Sequence, residues 1–264
     1  MRTVGIDLAT TPKNTGVCVL DWTPRAATAS FPSAGDNDDL VELAAVADKV
    51  GVDCPFGWPI PFVTAIDAWS RGETFPATAV GELRNRRTDV ATHGYLLARW
   101  QVSRYPLSVS TDRIGVTAMR CARLLDRIAA VTGEPVDRAG GGRLVEVYPA
   151  AATVCWNLLP TDRPLPAAEE RTGILLGRLF HGAPWLCTPS EIRAVCLASE
   201  HRRDALLAAL VAAAALARQT APPETAEDRR AAGIEGWIHL PTGAVGTLLD
   251  SVNAVANPAA GSAD

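Results

Sequence analysis

The sequence predicts a mixed α/β fold, in which a single five-stranded sheet is flanked by helices. Short apolar runs bounded by turn residues recur along the chain. The first three lie close together, and an amphipathic helical segment separates the third from the fourth. These strand candidates are residues 2–8, 16–22, 27–31, 50–53 and 144–147. Strands that adjoin in sequence, followed by a helix and further strands, are typical of one mixed sheet.

The first three strands are expected to form an antiparallel meander. Their connections carry turn residues, namely Pro12, Asn14 and Pro24. The next segment has apolar residues at helical spacing between Leu40 and Val50, and Asp36 and Asp38 supply a helix start. The strand that ends at Asp53 follows directly. This order places the helix as a crossover on one face of the sheet.

The domain is expected to span residues 1–242, with a helical insertion or lobe over one sheet edge at about 60–143. The segment around Trp237 has the character of a short strand or extended segment, and residues 243–264 are expected to be a flexible tail. Further helices are expected at about 149–158, 167–180 and within 190–219.

Composition excludes several classes of protein. The 264 residues are 48% hydrophobic and carry a net charge of −4, which gives no general attraction to phosphate backbones. The six cysteines form no CxxC pair, which is typical of buried thiols in a reducing cytosol and not of a zinc site. The start of the chain does not resemble a signal peptide, and the longest apolar run, Ala205–Ala217, is too short to span a membrane. We therefore expect a cytoplasmic protein.

Acidic residues stand where apolar segments end. Asp7 and Asp53 terminate strand candidates, Glu146 follows a third apolar run, and Asp204 falls in the second turn of an apolar helix if Ser199 is its N-cap. Each acid has an ordinary explanation, such as a turn for the aspartates or a salt bridge to an arginine for Glu146. Together, however, acids at neighbouring strand ends and on one helix can converge.

Converging carboxylates repel one another and raise each other's pKa values unless a cation neutralises them. Oxygen ligands without histidine or cysteine favour Mg²⁺ or Mn²⁺. Two such ions, about 4 Å apart, can activate a water and stabilise the leaving oxygen in phosphodiester hydrolysis. The four histidines, His93, His181, His201 and His239, show no metal-ligand spacing, and most of them are expected to be surface or capping residues.

Six segments resemble an uncharacterised family of predicted ribonuclease H-like nucleases: "VGIDLATT", "GVDCPFGWP", "RNRRTD", "VEVYPAA", "RRDALLAALVAA" and "EGWIHLP". The resemblance implies a ribonuclease H-like fold, and it implies that Asp7, Asp53, Glu146 and Asp204 are the catalytic, metal-binding carboxylates. It also places Arg84, Arg87 and Asp89 in a polar motif of the insertion. Arg87 could contact a scissile phosphate, although a solvated surface arginine is equally plausible. Glu235 and Trp237 match a motif near the end, with no role assigned.

Two other functions stay open. "GIDLATT", with Thr10 and the following Lys13, resembles the first phosphate loop of the actin and sugar-kinase group, which would make the protein an ATP-using phosphotransferase. Such kinases need two copies of the core and a second glycine-rich phosphate loop. The sequence shows only one copy of the core and no second loop. A non-catalytic binding module on the same fold is the third possibility. The expected partner is a nucleic acid or a nucleotide rather than a membrane, and the oligomeric state is left open.

Overall fold

The strands lie in one mixed sheet. The structure, a computed structural model, describes residues 1–159 and 167–257, and within them the strand order is β3-β2-β1-β4-β5-β6. β1 pairs antiparallel with β2 and parallel with β4, and β5 and β6 continue the parallel half. The strands are β1 (Arg2–Asp7), β2 (Gly16–Trp22), β3 (Ala27–Ser30), β4 (Lys49–Asp53), β5 (Leu144–Val147) and β6 (Ile238–His239).

Helices flank this sheet, as the sequence predicts, and the fold is consistent with a ribonuclease H-like arrangement. The strand count differs, because the described residues form six strands and not five. The sixth, Ile238–His239, has two residues, too few to show an alternating pattern. The helices are α1 (Asn37–Ala45), α2 (Ile60–Ser70), α3 (Val80–Arg84), α4 (Arg87–Trp100), α5 (Gly115–Thr132), α6 (Pro149–Cys155), α7 (Ala168–Gly182), α8 (Pro189–Ala198), α9 (Glu200–Leu216), α10 (Ala226–Glu235) and α11 (Leu248–Ala256).

Helix α9 covers one face of the sheet at very short range. A Cβ atom added to Gly5 would overlap the carbonyl oxygen of Ala205, and one added to Gly51 would overlap that of Ala208. Glycine is therefore required where the helix backbone lies directly on β1 and β4. The helix is buried from Ala205 to Ala214, which agrees with a sequence that is apolar on all sides. This contact brings the first turns of α9 to the carboxyl ends of β1 and β4.

Helices α1 and α5 cover the opposite face. Ile6 of β1 and Val52 of β4 are fully buried there, in a core that includes Leu124 and Ile128 of α5. Because side chains alternate along a strand, Asp7 and Asp53 point to the α9 side. Helix α5 lies inside the expected insertion at 60–143 but forms a layer of the main core, whereas α4 packs beside α6, α10 and β6.

The end of the chain departs from the expected flexible tail. Residues 245–247 form a 3₁₀ turn and residues 248–256 form α11, whose Leu248 and Val252 are buried against the core around α9. The spacing of these two residues is helical, but the surrounding Ala, Asn and Ser obscure the pattern. Residues 258–264 of the expected tail lie outside the described residues. No helix in the described ranges combines the length and hydropathy needed to cross a bilayer.

Candidate functional site

Asp7 and Asp53 stand side by side at the carboxyl ends of two parallel strands. They are register partners in the β1–β4 ladder, so both side chains project from the same face. The Asp7 side chain is 17% exposed, and Asp53 is half-buried. Within the described parts of the chain, no donor hydrogen-bonds to the Asp53 carboxylate. The sheet therefore holds two adjacent acids at its rim.

Helix α9 adds a third acid to this rim. Asp204 lies in its second turn, where both carboxylate oxygens bind the guanidinium of Arg203 at 2.9 and 3.1 Å. In the first turn, Nδ1 of His201 lies 2.7 Å from Oδ2 of Asp7. We call Asp7, Asp53 and Asp204 the rim acids. They lie on the α9 side of the sheet, and the hypothesis that they bind a metal together stays a prediction.

The electrostatics of the rim acids reflect this crowding. Burial is the main cause that raises the pKa of Asp7 to about 6; the hydrogen bond with His201 lowers it, and the charge of Asp204 raises it further. Burial also raises the pKa of Asp53 well above its ordinary value, and the charges of Asp7, Asp204 and Glu146 add to the rise. The neighbouring acids therefore oppose the ionisation of Asp7 and of Asp53.

Glu146 does not join the rim acids, which corrects the expectation of four converging carboxylates. It is the register partner of Val52, whose side chain faces α1 and α5, so Glu146 projects from the opposite face of the sheet. Its Oε1 accepts a hydrogen bond from Arg86 at 2.7 Å, and its Oε2 accepts one from Arg86 and one from the Phe56 amide, both at 2.9 Å. A register difference of one residue separates the two faces.

Arg86 is the centre of a buried ionic network. Its guanidinium also donates to Asp89 at 2.9 Å and to the carbonyl oxygen of Glu235 at 3.0 Å. Arg86, Asp89 and Glu146 are each at most 2% exposed. Burial alone lowers the pKa of Arg86, but the charges of Glu146 and Asp89 raise it above its ordinary value. The "RNRRTD" motif thus contributes a structural cation, Arg86, which the sequence hypothesis did not single out.

Glu235 joins the starts of two helices. Its Oε1 accepts a hydrogen bond from the amide of Ile60, and its Oε2 accepts one from the amide of Arg87, at 2.8 and 2.7 Å. These residues begin α2 and α4, where unpaired amides and the helix dipole favour a carboxylate. Trp237 donates its indole N–H to Ala221. We call Asp89, Glu146 and Glu235 the anchor acids.

The expected substrate-binding residues divide into two places. Arg84 lies 3.8 Å from Asp112, and Arg87, which is 41% exposed, binds Asp228 and Glu227; neither is paired with a rim acid. The other two residues lie in the loop that leaves β1 after Asp7: Thr10 is exposed and hydrogen-bonded to Thr117, and Lys13 is exposed in a 3₁₀ turn. This loop lies next to the rim in sequence.

The rim acids suit a hard divalent cation in donor chemistry. Three carboxylates share one rim, and the Asp53 carboxylate has no hydrogen-bond donor among the described residues. A cation between them would counteract the rise in the pKa values of Asp7 and Asp53. In the side-chain conformations of the described residues, no three Asp, Glu, His or Cys groups converge closely enough to hold a metal. The Asp204 carboxylate turns toward Arg203.

A large cleft lies away from the rim. It has a volume of about 1070 Å³ and runs between α2, α3, α4 and α10, with Arg87, Tyr95, Tyr105 and Trp237 in its walls. None of the rim acids lines it. Both positive and negative side chains line it, so its charge does not identify a ligand. The carboxylate chemistry is therefore assigned to the rim and not to this cleft.

The sequence hypothesis assigned no role to two residues of these networks, His201 and Arg86. His201 was expected at the surface, because it pairs with no second histidine at metal-ligand spacing; its distance of three residues from Asp204 was the available signal. Arg86 stood among three arginines in four residues, and only burial distinguishes it from Arg84 and Arg87.

Comparison with known proteins gives a family without an assigned activity. Residues 5–228 match the family described as protein of unknown function (DUF429). A search of curated proteins finds no match. A search of solved structures finds none either. The match covers most of the 264 residues and includes the rim acids, Arg86, Asp89 and Glu146, whereas Glu235 lies beyond it. The chain therefore belongs to the DUF429 family.

Proposed function

We propose that the protein is a divalent-metal-dependent nuclease that hydrolyses phosphodiester bonds at the rim acids. The observation that carries the proposal is the register pairing of Asp7 with Asp53 at the carboxyl ends of parallel strands. Helix α9 brings Asp204 to the same face, close enough for its charge to raise the pKa values of both strand acids. Acids arranged in this way are unfavourable without a function that uses them.

Asp7, Asp53 and Asp204 would hold Mg²⁺ or Mn²⁺ through carboxylate oxygens. A bound divalent ion would polarise a phosphoryl oxygen and lower the pKa of a water. The protein contributes position, because β1, β4 and α9 are packed backbone against backbone around the rim. The two-ion form of this chemistry was expected from four carboxylates, but Glu146 is bound to Arg86 on the other face.

The proposed substrate is a nucleic acid or a nucleotide in the cytoplasm. The net charge of −4 means that phosphate must be held by local contacts. Lys13 and Thr10, in the loop after Asp7, offer an ammonium and a hydroxyl for such contacts. All six cysteines are free, as is usual in a reducing compartment.

The test is cleavage of end-labelled single-stranded RNA, single-stranded DNA, an RNA–DNA hybrid and a branched junction, with Mg²⁺, Mn²⁺ or a chelator. We expect metal-dependent cleavage of at least one substrate, reduced on the order of 100-fold or more in Asp53→Asn because a ligand is lost. Asp21→Asn, an exposed aspartate paired with Arg2 on the neighbouring strand, is the matched control. Full cleavage by Asp53→Asn would remove the mechanism.

The same assay separates the rival functions. Transfer of phosphate from ATP, without cleavage of any nucleic acid, would favour the phosphotransferase; the described residues contain one copy of the sheet core, and that group uses two. Metal binding by calorimetry with neither activity would favour a binding module. Neither result is expected.

A further inference from the structure

His201 is held next to Asp7 by the backbone packing of α9. Its Nδ1 atom lies 2.7 Å from Asp7 Oδ2. Gly16 is the β2 register partner of Asp7, and a Cβ atom on Gly16 would overlap the carbonyl oxygen of His201. The first turn of α9 therefore rests directly on β2, opposite Asp7. The position of the imidazole is thus set by main-chain contact and not by a loop.

His201 and Asp204 lie three residues apart, on one face of the helix. His201 contacts Asp7 directly. The charge of Asp204 acts on both Asp7 and Asp53. The His201 side chain is 41% exposed, so the ring also opens to the solvent at the rim. Two side chains from strand ends, Asp7 and Asp53, and two from successive turns of α9, His201 and Asp204, therefore lie on the same side of the sheet.

The contact between His201 and Asp7 resembles the spacing of neighbouring ligands on one ion. Protein ligands bind at about 2.0–2.2 Å, so adjacent ligand atoms at right angles are separated by about 3 Å. A nitrogen and an oxygen already 2.7 Å apart need only small side-chain rotations to reach this arrangement. Without a metal, the same two atoms form a hydrogen bond.

The rim acids and His201 provide enough ligand atoms for one metal ion but not for two. A two-ion site needs carboxylates that bridge or flank both metals, about 4 Å apart. Glu146, the remaining candidate of the original four, projects from the opposite face of the sheet and is held there by Arg86 and the Phe56 amide. The rim acids with His201 make a set of three carboxylates and one imidazole.

We infer that the rim takes a single divalent ion and that His201 is a direct ligand of it, together with Asp7, Asp53 and Asp204. The inference rests on the proposed site, and it changes the expected stoichiometry and donor set. Imidazole nitrogen is a better ligand for Mn²⁺ than for Mg²⁺, which prefers oxygen donors and retained waters. The site therefore selects Mn²⁺ over Mg²⁺, and His201 is the residue that provides the selection.

The experiment uses the full chain after treatment with a chelator. Calorimetric titration with Mn²⁺ and with Mg²⁺ measures affinity and stoichiometry, and pulsed electron paramagnetic resonance of bound Mn²⁺ detects a directly coordinated ¹⁴N nucleus. We expect one Mn²⁺ per chain and a clear ¹⁴N signal. In His201→Ala the signal should disappear, and the Mn²⁺ affinity should fall about 10- to 100-fold, more than the Mg²⁺ affinity.

Two further variants keep the test specific. His201→Asn retains a donor that can hydrogen-bond to Asp7, so it should preserve Mn²⁺ affinity if His201 only orients Asp7 and lose it if His201 is a ligand. His181→Ala, at an exposed position on α7, is the matched control and should behave as the wild type. Thermal melting of each metal-free variant verifies that it is folded.

The inference is overturned by two Mn²⁺ per chain, by the absence of a ¹⁴N signal in the wild type, or by unchanged Mn²⁺ affinity in His201→Asn. Absence of any metal binding would overturn the inference and the proposed nuclease together. One Mn²⁺ with a His201-dependent ¹⁴N signal, but without cleavage of any phosphodiester, would support the inference and reject the nuclease. The two proposals therefore fail in distinguishable ways.

Discussion

The rim acids and the anchor acids are both placed near strand or helix ends, but their surroundings differ. The anchor acid Glu146 is 2% exposed, and Arg86 and a backbone amide satisfy both of its oxygens. The rim acid Asp53 is half-buried, lies beside Asp7, and has no hydrogen-bond donor among the described residues. Glu146 is therefore neutralised by its partner, whereas Asp53 is surrounded by like charges that raise its pKa.

An acid's position near the end of a strand in the sequence therefore does not reveal its role. Asp53 is the last residue of β4 and Glu146 is the penultimate residue of β5, and the two strands are neighbours. The two acids differ in the face of the sheet from which the side chain projects and in the group that it meets on that face. A guanidinium on one face makes the acid part of the fold, and a second carboxylate on the other face makes the acid available for binding.

The largest expected effect concerns the anchor acids. Arg86→Met removes the cation that faces Asp89 and Glu146 in the interior, so both buried carboxylates lose their partner. We expect a loss of about 3–5 kcal/mol in the free energy of unfolding, measured by urea denaturation at pH 7. Arg86→Lys keeps one charge and should lose less. A loss below about 1 kcal/mol for Arg86→Met would show that the anchor acids do not depend on Arg86.

The second prediction concerns the rim acid Asp7, whose replacement is expected to increase the free energy of unfolding. Because the pKa of Asp7 is raised to about 6 from 3.8, the folded protein holds this proton more tightly than the unfolded chain. The resulting stabilisation is complete below about pH 4 and is lost as the pH rises through 6. Asp7→Asn stays neutral, so above pH 7 it should be about 2 kcal/mol more stable than the metal-free wild type.

Urea denaturation between pH 4 and pH 8, in the presence of a chelator, measures this effect. The advantage of Asp7→Asn should shrink toward pH 4 and should also shrink when Mn²⁺ is added, because only the wild type gains from the ion. Asp21→Asn, on β2 and exposed, should differ from the wild type by less than about 1 kcal/mol. A metal-free Asp7→Asn variant that is less stable than the wild type at pH 8 would contradict the account of the rim.

The smallest effect concerns Arg87, the neighbour of Arg86 in sequence. Its side chain is 41% exposed and pairs with Asp228 and the more exposed Glu227. Arg87→Ala removes these pairs but keeps the amide that donates to Glu235. We expect a loss of less than about 1 kcal/mol by urea denaturation. A loss as large as that of Arg86→Met would end the distinction between the buried and the exposed arginine.

Much of the fold could be predicted because its signals are local. Strands β1, β2, β4 and β5 are apolar runs bounded by turn residues, and α1 and α9 show clear helix starts at Asp36 and Ser199. β6 escaped a firm assignment because two residues carry no periodicity. Helix α11 escaped because its two buried residues are surrounded by small and polar ones.

The candidate site could be predicted only in part, because it depends on non-local geometry. The run of acids at strand ends suggested a meeting point, but the face taken by Glu146 follows from the β4–β5 register, which no single segment encodes. The roles of Arg86 and His201 depend on contacts across 60 and 194 residues of chain, respectively. Such contacts become visible only after the layers are assembled.

The close seating of α9 on Gly5 and Gly51 has a consequence for how this protein can vary. Where two main chains touch, the gap between layers has no side chain whose size could be adjusted, so the separation of donors on helix and sheet is inherited from the peptide backbone itself. A methyl group added at Gly5 or Gly51 would push the whole helix outward. The chemistry of the rim can therefore change only by replacing side chains at positions whose backbone stays where it is.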